Sequence, residues 1–187
     1  MPRQPLAFIS ESLPGVDLSA ITGKLIALEG AVSSEVIQQL RNWLMLEGFA
    51  VCIAEHHSNA SQFARDLERE WIPALRAGFI VLANGYAYSL IAEGVANGLD
   101  RKWLEKVMGF ALAPNLVCYL RSTATPKRRA DALQELAEKN GFLVIDADRP
   151  DVLAQIKQAI SGAIEEPQAS ETRDAQRRPS ARRTRKG

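Results

Sequence analysis

The sequence predicts an α/β domain, a doubly wound five-stranded parallel sheet with helices on both faces. Three observations predict it. Five short runs are almost wholly apolar, as strands buried on both faces must be. Between them lie segments whose apolar residues recur at helical spacing. Glycines, one of them in an Asn-Gly pair, close several of those segments and supply the stops.

The elements follow in order. Residues 1–22 carry no clear period and contain the turn Pro14-Gly15, so they are expected to be an irregular lead-in. Lys24-Leu25-Ile26-Ala27-Leu28 reads as the first strand, closed by Glu29-Gly30. Ser33 or Ser34 can cap the helix that follows, and Glu35 suits its first turn. Val36, Ile37, Leu40 and Leu44 form one apolar face, and Gly48 ends the helix. Val51-Cys52-Ile53-Ala54 is the second strand. Phe63, Leu67, Trp71 and Leu75 recur every four residues, predicting a helix that runs to Gly78. Phe79 to Ala83 is the third strand, followed by a helix with Leu90 and Ile91. Another helix carries Trp103, Leu104, Val107, Met108 and Ala111 on one face. Leu116 to Leu120 is the fourth strand, and Ala132, Leu133, Leu136 and Ala137 line the next helix, which stops at Asn140-Gly141. Phe142 to Ile145 is the fifth strand, and Val152, Leu153, Ile156, Ile160 and Ile164 share a face of the last helix.

Composition narrows the function classes. The 187 residues suffice for one domain with a sizeable core, expected at 23–164. Lys+Arg number 23 and Asp+Glu 22, so overall charge gives no pull toward nucleic acid or membrane. No apolar run approaches the roughly 20 residues of a membrane span, and the first residues lack a signal peptide's apolar centre. Two cysteines, Cys52 and Cys118, both inside apolar runs, exclude a disulfide scaffold and fit a reducing cytoplasm. The charge is concentrated at one end. Residues 165–187 hold seven basic and four acidic side chains, a net +3, with Pro167 and Pro179 and almost nothing large and apolar. A disordered basic tail is expected there, with nucleic acid as one possible contact.

Several stretches taken in order resemble the thymidylate kinase family of P-loop kinases. Lys24 to Gly30 is similar to the family's first strand and the Glu-Gly that opens its phosphate loop. Ile72-Pro73-Ala74-Leu75-Arg76-Ala77-Gly78-Phe79-Ile80-Val81-Leu82 resembles the run I-R-P-A-L-x-A-G-x-I-V-I. Tyr86, Ser89 and Glu93-Gly94-Val95-Ala96-Asn97-Gly98-Leu99 resemble R-Y-x-x-S and Q-G-A-x-x-G-L. Asn115 to Leu120 looks like P-D-L-x-x-Y-L, and Val144 to Pro150 like V-I-D-A-x-x-P. The resemblance spans roughly residues 23–164 and implies a P-loop kinase-like fold. It also implies a dimer, since two of Trp43, Trp71 and Trp103 fall on helices flanking the family's dimer-forming side.

The chemistry departs from that pattern. Phosphoryl transfer needs backbone N–H groups around the phosphates, a Lys on their charge and a Ser/Thr holding Mg²⁺. The family supplies these through G-x-x-x-x-G-K-S/T. Here Gly30 is followed by Ala31-Val32-Ser33-Ser34-Glu35, about three residues shorter, with neither second Gly nor Lys. Glu35 would repel a phosphate. The family's phosphate Arg after the second strand is replaced by Glu55-His56-His57, and its Asp-Arg after the third by Asn84-Gly85. The base-reading Gln appears as Glu93, and the Asp after the fourth strand as Arg121. Ser58 to Ser61 stand where about thirty residues of substrate pocket belong, and Lys127-Arg128-Arg129 is what remains of an Arg-rich lid. Losing one preorganised donor costs roughly 10²–10³ in rate, so losing several together leaves no expected catalysis.

No catalytic residue and no metal site is therefore expected. By position, Gly30, Ser33, Ser34, Tyr86 and Glu93 are the candidate nucleotide contacts, with Mg-ATP a cofactor only if the crevice still binds nucleotide. The expected role is a catalytically inactive homologue acting through protein contacts, as a homodimer or a heterodimer with an active relative. Among side chains with a second use, Glu55-His56-His57 is a weak metal candidate, because neighbours on an extended strand point apart. Asp146 and Asp148 are expected to serve the start of the last helix, the three Trp to pack in the core, and both Cys to be inert.

Overall fold

The computed structural model describes residues 20–165, which form five strands and seven α-helices. The chain runs β1 (Lys24–Gly30), α1 (Ser34–Leu46), β2 (Val51–Ala54), α2 (Ala60–Asp66), a π-helical segment (Leu67–Trp71) and α3 (Ile72–Arg76). It continues through β3 (Ile80–Asn84), α4 (Ala87–Ala96), α5 (Arg101–Val107), β4 (Leu116–Arg121), α6 (Lys127–Asn140), β5 (Leu143–Asp146) and α7 (Val152–Glu165). Residues 1–19 of the expected lead-in and residues 166–187 of the expected tail lie outside the described residues.

All strand pairs are parallel, in the order β2-β3-β1-β4-β5. This is the expected doubly wound α/β sheet with a P-loop kinase-like architecture. The chain first works outward from β1 to β2 and β3, then crosses over β1 to reach β4. That reversal makes the carboxyl end of β1 the switch point, where such sheets take ligands.

Alternation along the strands divides the core in two. Leu25, Ala27, Val81, Ala83, Val117 and Tyr119 face α2 to α6. Ile26, Leu28, Ile80, Leu82, Cys118 and Leu120 face α1 and α7. Asn115 leads the chain into β4 by copying a strand pairing. Its side-chain oxygen accepts from the Leu25 N–H, and its own N–H donates to the Leu25 carbonyl, both at 2.8 Å.

Three expectations change. The helix over residues 60–76 is continuous but not uniform, because a four-residue repeat overshoots an α-helical turn by roughly 40° per step. The looser π segment absorbs that drift, and Phe63, Leu67, Trp71 and Leu75 all end fully buried. Trp103 is 54% exposed rather than core, since α5 is a short helix that buries only Leu104. β5 begins at Leu143, not Phe142, and as an edge strand it leaves Leu143 and Val144 exposed; Phe142 instead packs against the Tyr88 ring.

Candidate functional site

The switch point is framed by the β1–α1 turn, the α4 N-terminus, the segment after β2 and the first turn of α6. Only Ala31, Val32 and Ser33 separate β1 from α1. Gly30 has φ of +91°, and a side chain there would meet the Leu120 carbonyl and the Tyr119 ring. The Ala31 N–H donates to the Leu120 carbonyl at 2.9 Å, and the Val32 N–H to the Gly30 carbonyl at 3.1 Å. The turn thus spends its first two donors on the chain itself. Ser33 is the N-cap, its hydroxyl accepting from the Val36 N–H, while Ser34 is the first helical residue. Glu35 sits in the first turn, so the helix end already carries the anion its dipole favours.

Behind this turn lies a residue that the sequence reading quoted only as part of a motif. Glu29 is fully buried, on the face toward α4. Its carboxyl accepts from the Tyr86 N–H at 3.1 Å and is paired with the Ser89 hydroxyl. Tyr86 is the N-cap of α4 and makes no side-chain cap bond. A carboxylate from β1 therefore satisfies the open end of α4 from across the core. Burial pushes Glu29 up to about 7, against the lowering effect of the Ser89 and Tyr86 hydrogen bonds and the Arg129 charge. A Glu ending an apolar strand was the signal that could have singled it out.

Tyr86, expected by position to meet a nucleotide, is itself buried. Its hydroxyl donates to the Leu112 carbonyl at 3.0 Å, and its ring packs edge-on to Phe63 at 5.0 Å. Burial raises its pKa far above the phenol range. Glu93 is half-buried one turn beyond Ser89, close enough for its charge to act on His56. Gly30, Ser33 and Ser34 lie on the turn, and Tyr86 and Glu93 on α4, so the fold brings all five to the same end of the sheet.

The two histidines diverge as extended neighbours do. His56 lies over Gly85, where an added Cβ would stand 2.6 Å from its Nδ1. Burial first, then the Arg129 charge, holds its pKa below the usual value. His57 turns inward, stacks on Trp71 at 5.5 Å and places Nε2 3.3 Å from Asp66. Among the described residues, no group of three or more His, Cys, Asp or Glu is placed to hold a metal. Asp148 does not cap α7. Its carboxylate takes the Ser122 hydroxyl at 2.9 Å and the Thr123 N–H at 3.4 Å, bonds that lower its pKa and tie the β5–α7 turn to the loop after β4. Cys118 is a buried free thiol that burial pushes up to about 12, as an inert core cysteine should be. No helix among the described residues is long and apolar enough to cross a membrane.

Relatives can now be set beside this geometry. No family model matches the chain. A probable thymidylate kinase 2 of Saccharolobus solfataricus is 34% identical over 65 residues, 35% of this chain and 30% of the relative. A probable thymidylate kinase of Staphylothermus marinus is 27% identical over 120 residues, 51% of this chain and 60% of the relative. A third, from Thermococcus gammatolerans, is 38% identical over 69 residues, 35% and 33% of the two chains. The likeness is to thymidylate kinases. These archaeal homologues, at modest identity and partial coverage, support the family, and the chain spans at most 60% of the length of these three. The fold agrees with that of a P-loop kinase-like protein.

Proposed function

We propose that this is a thymidylate kinase-like protein that has lost phosphoryl transfer and acts through contacts with other proteins in the cytoplasm. The β1–α1 turn carries the reading. A triphosphate needs several free backbone N–H groups and a cation around it. This turn has three residues, commits the Ala31 and Val32 N–H groups internally, contains no Lys and leads into a helix whose first turn carries Glu35. The exposed Leu99 and Trp103 at the start of α5 support a protein-contact role, either between copies of the chain or with an active relative. A specific observation also favours a second reading, retained nucleotide binding, because the Arg129 and Glu93 charges both act on His56 at the switch point. In a coupled assay with Mg-ATP and dTMP or another nucleoside monophosphate, the full chain is expected to show no turnover above background. Turnover that disappears on substituting switch-point residues would overturn the proposal.

A further inference from the structure

The sheet has two outer strands, β2 and β5, and β2 is the one whose residues carry no charge. Val51-Cys52-Ile53-Ala54 also contains no Pro, so it lacks the usual devices that keep an open edge from pairing. β3 is its neighbour on one side, and among the described residues no strand lies on the other. The Ile80 N–H donates to the Ala50 carbonyl at 2.8 Å, and Ile80 stands opposite Val51. Bonds in a parallel ladder alternate, so Cys52 and Ala54 turn their N–H groups toward β3 while Val51 and Ile53 turn theirs to the open edge. The side chains of Val51 and Ile53 are only half-buried. Next to the start of β2, where α1 ends, Met45, Leu46 and Phe49 are exposed, Leu46 by 88%.

The chain itself contains a segment that fits this edge. Among the residues before Ala20 the longest apolar run is Leu6-Ala7-Phe8-Ile9, bounded by Pro5 and Ser10 and equal in length to β2. The way in lies at the right end of the sheet. The Gly23 N–H donates to the Leu75 carbonyl at 2.8 Å, and Lys24, Ile80 and Val51 stand in line across β1, β3 and β2. With strands about 4.8 Å apart, the place beyond β2 is three spacings, roughly 14 Å, from β1. The ten residues from Ser10 to Ser19 span up to about 33 Å when extended, enough to cross with the Pro14-Gly15 turn included. β5 is further off, because it starts opposite Cys118, which stands opposite Leu28, four residues along β1 from Lys24.

We propose that Leu6-Ala7-Phe8-Ile9 adds to the sheet as a sixth strand, antiparallel to β2. The direction follows from the connection: an antiparallel strand ends where β1 begins, whereas a parallel one needs a return along the sheet. In the register that overlaps the two runs fully, Ile9 is opposite Val51 and Ala7 opposite Ile53, and each pair exchanges N–H···O bonds. Leu6 and Phe8 then share the face of Ala54 and Cys52, and Ala7 and Ile9 that of Val51 and Ile53, so both halves of the core extend by one strand. The crossing residues bring Leu13, Val16 and Leu18 past Met45, Leu46 and Phe49. A parallel sheet with one antiparallel edge strand is a common arrangement. The inference does not depend on whether the switch point takes a nucleotide.

NMR of the full chain tests it. Expected are cross-strand contacts between the Hα protons of Phe8 and Cys52, and slow hydrogen exchange at Val51 and Ile53 to match that at Cys52 and Ala54. Ala7→Pro removes the donor to the Ile53 carbonyl, so protection at Val51 and Ile53 is expected to be lost while Cys52 and Ala54, bonded to β3, keep theirs and report that the variant has folded. Fast exchange at Val51 and Ile53 in the wild-type chain overturns the proposal, as do contacts from Leu6-Ala7-Phe8-Ile9 to β5. So does protection that survives Ala7→Pro, or that falls on dilution, which would mark a second copy as the occupant of the edge.

Discussion

On one face of the sheet, α1 and α7 lay Ile37, Leu40, Leu44, Ile156 and Ile160 over aliphatic strand residues, with Cys118 the nearest thing to a polar atom. On the other, the segments from α2 to α6 bring Phe63, Trp71, Tyr86 and Tyr88 against the sheet, which presents Tyr119 to them, and the buried polar side chains Glu29, His57 and Ser89 lie there too. The first face needs only volume and shape. The second is held by directed contacts, including His57 against Trp71, Tyr86 to Leu112, and Glu29 to the end of α4. A fold can keep its aliphatic half under almost any function, whereas a buried carboxylate costs free energy and is tolerated only with partners.

Large-to-small changes probe whether the aromatic face is as much core as the aliphatic one. Trp71→Ala is expected to cost about 3–5 kcal/mol in urea unfolding, and Leu40→Ala about 2–5 kcal/mol. A small loss at Trp71 beside a large one at Leu40 would break the comparison and mark the aromatic face as loosely packed.

The carboxylate gives the next largest effect, and it depends on pH. The folded-state pKa of Glu29 lies above its ordinary 4.5, at about 7. Folding therefore favours the protonated form. That contribution is fully present below about 4.5 and is lost as pH rises through about 7. Over that window the wild-type protein should lose roughly 3 kcal/mol relative to Glu29→Gln, taking 1.36 kcal/mol per pH unit. Parallel pH profiles of the two proteins would remove Glu29 from the account. The smallest effect belongs to the β1–α1 turn. Ser33→Ala removes one cap bond and should cost about 1 kcal/mol in thermal or urea unfolding.

The same division governs what the sequence made legible. Every strand of the sheet was readable, because aliphatic runs bury themselves by composition alone, and residue type narrowed the first helix cap to Ser33 or Ser34, of which the backbone uses Ser33. The π segment was half legible: the four-residue repeat from Phe63 to Leu75 was visible, but the drift it imposes on a regular helix appears only in the backbone. Trp103 was misjudged because helical spacing says which residues share a face, not whether anything covers it. Asp148 was misjudged because its partners, Ser122 and Thr123, are about 25 residues away in the chain. Glu29, Ser89 and Arg129 come from three distant segments, so no local pattern could join them. The five positions named from resemblance do meet at one end of the sheet, but Tyr86 is occupied within the core.

The central claim is that the three-residue turn after β1 offers no place for a triphosphate. Calorimetric titration of the full chain with Mg-ATP tests it most directly. The account predicts no saturable heat up to millimolar ligand; a saturable isotherm abolished by substitutions at Ser33 and Ser34 would contradict it.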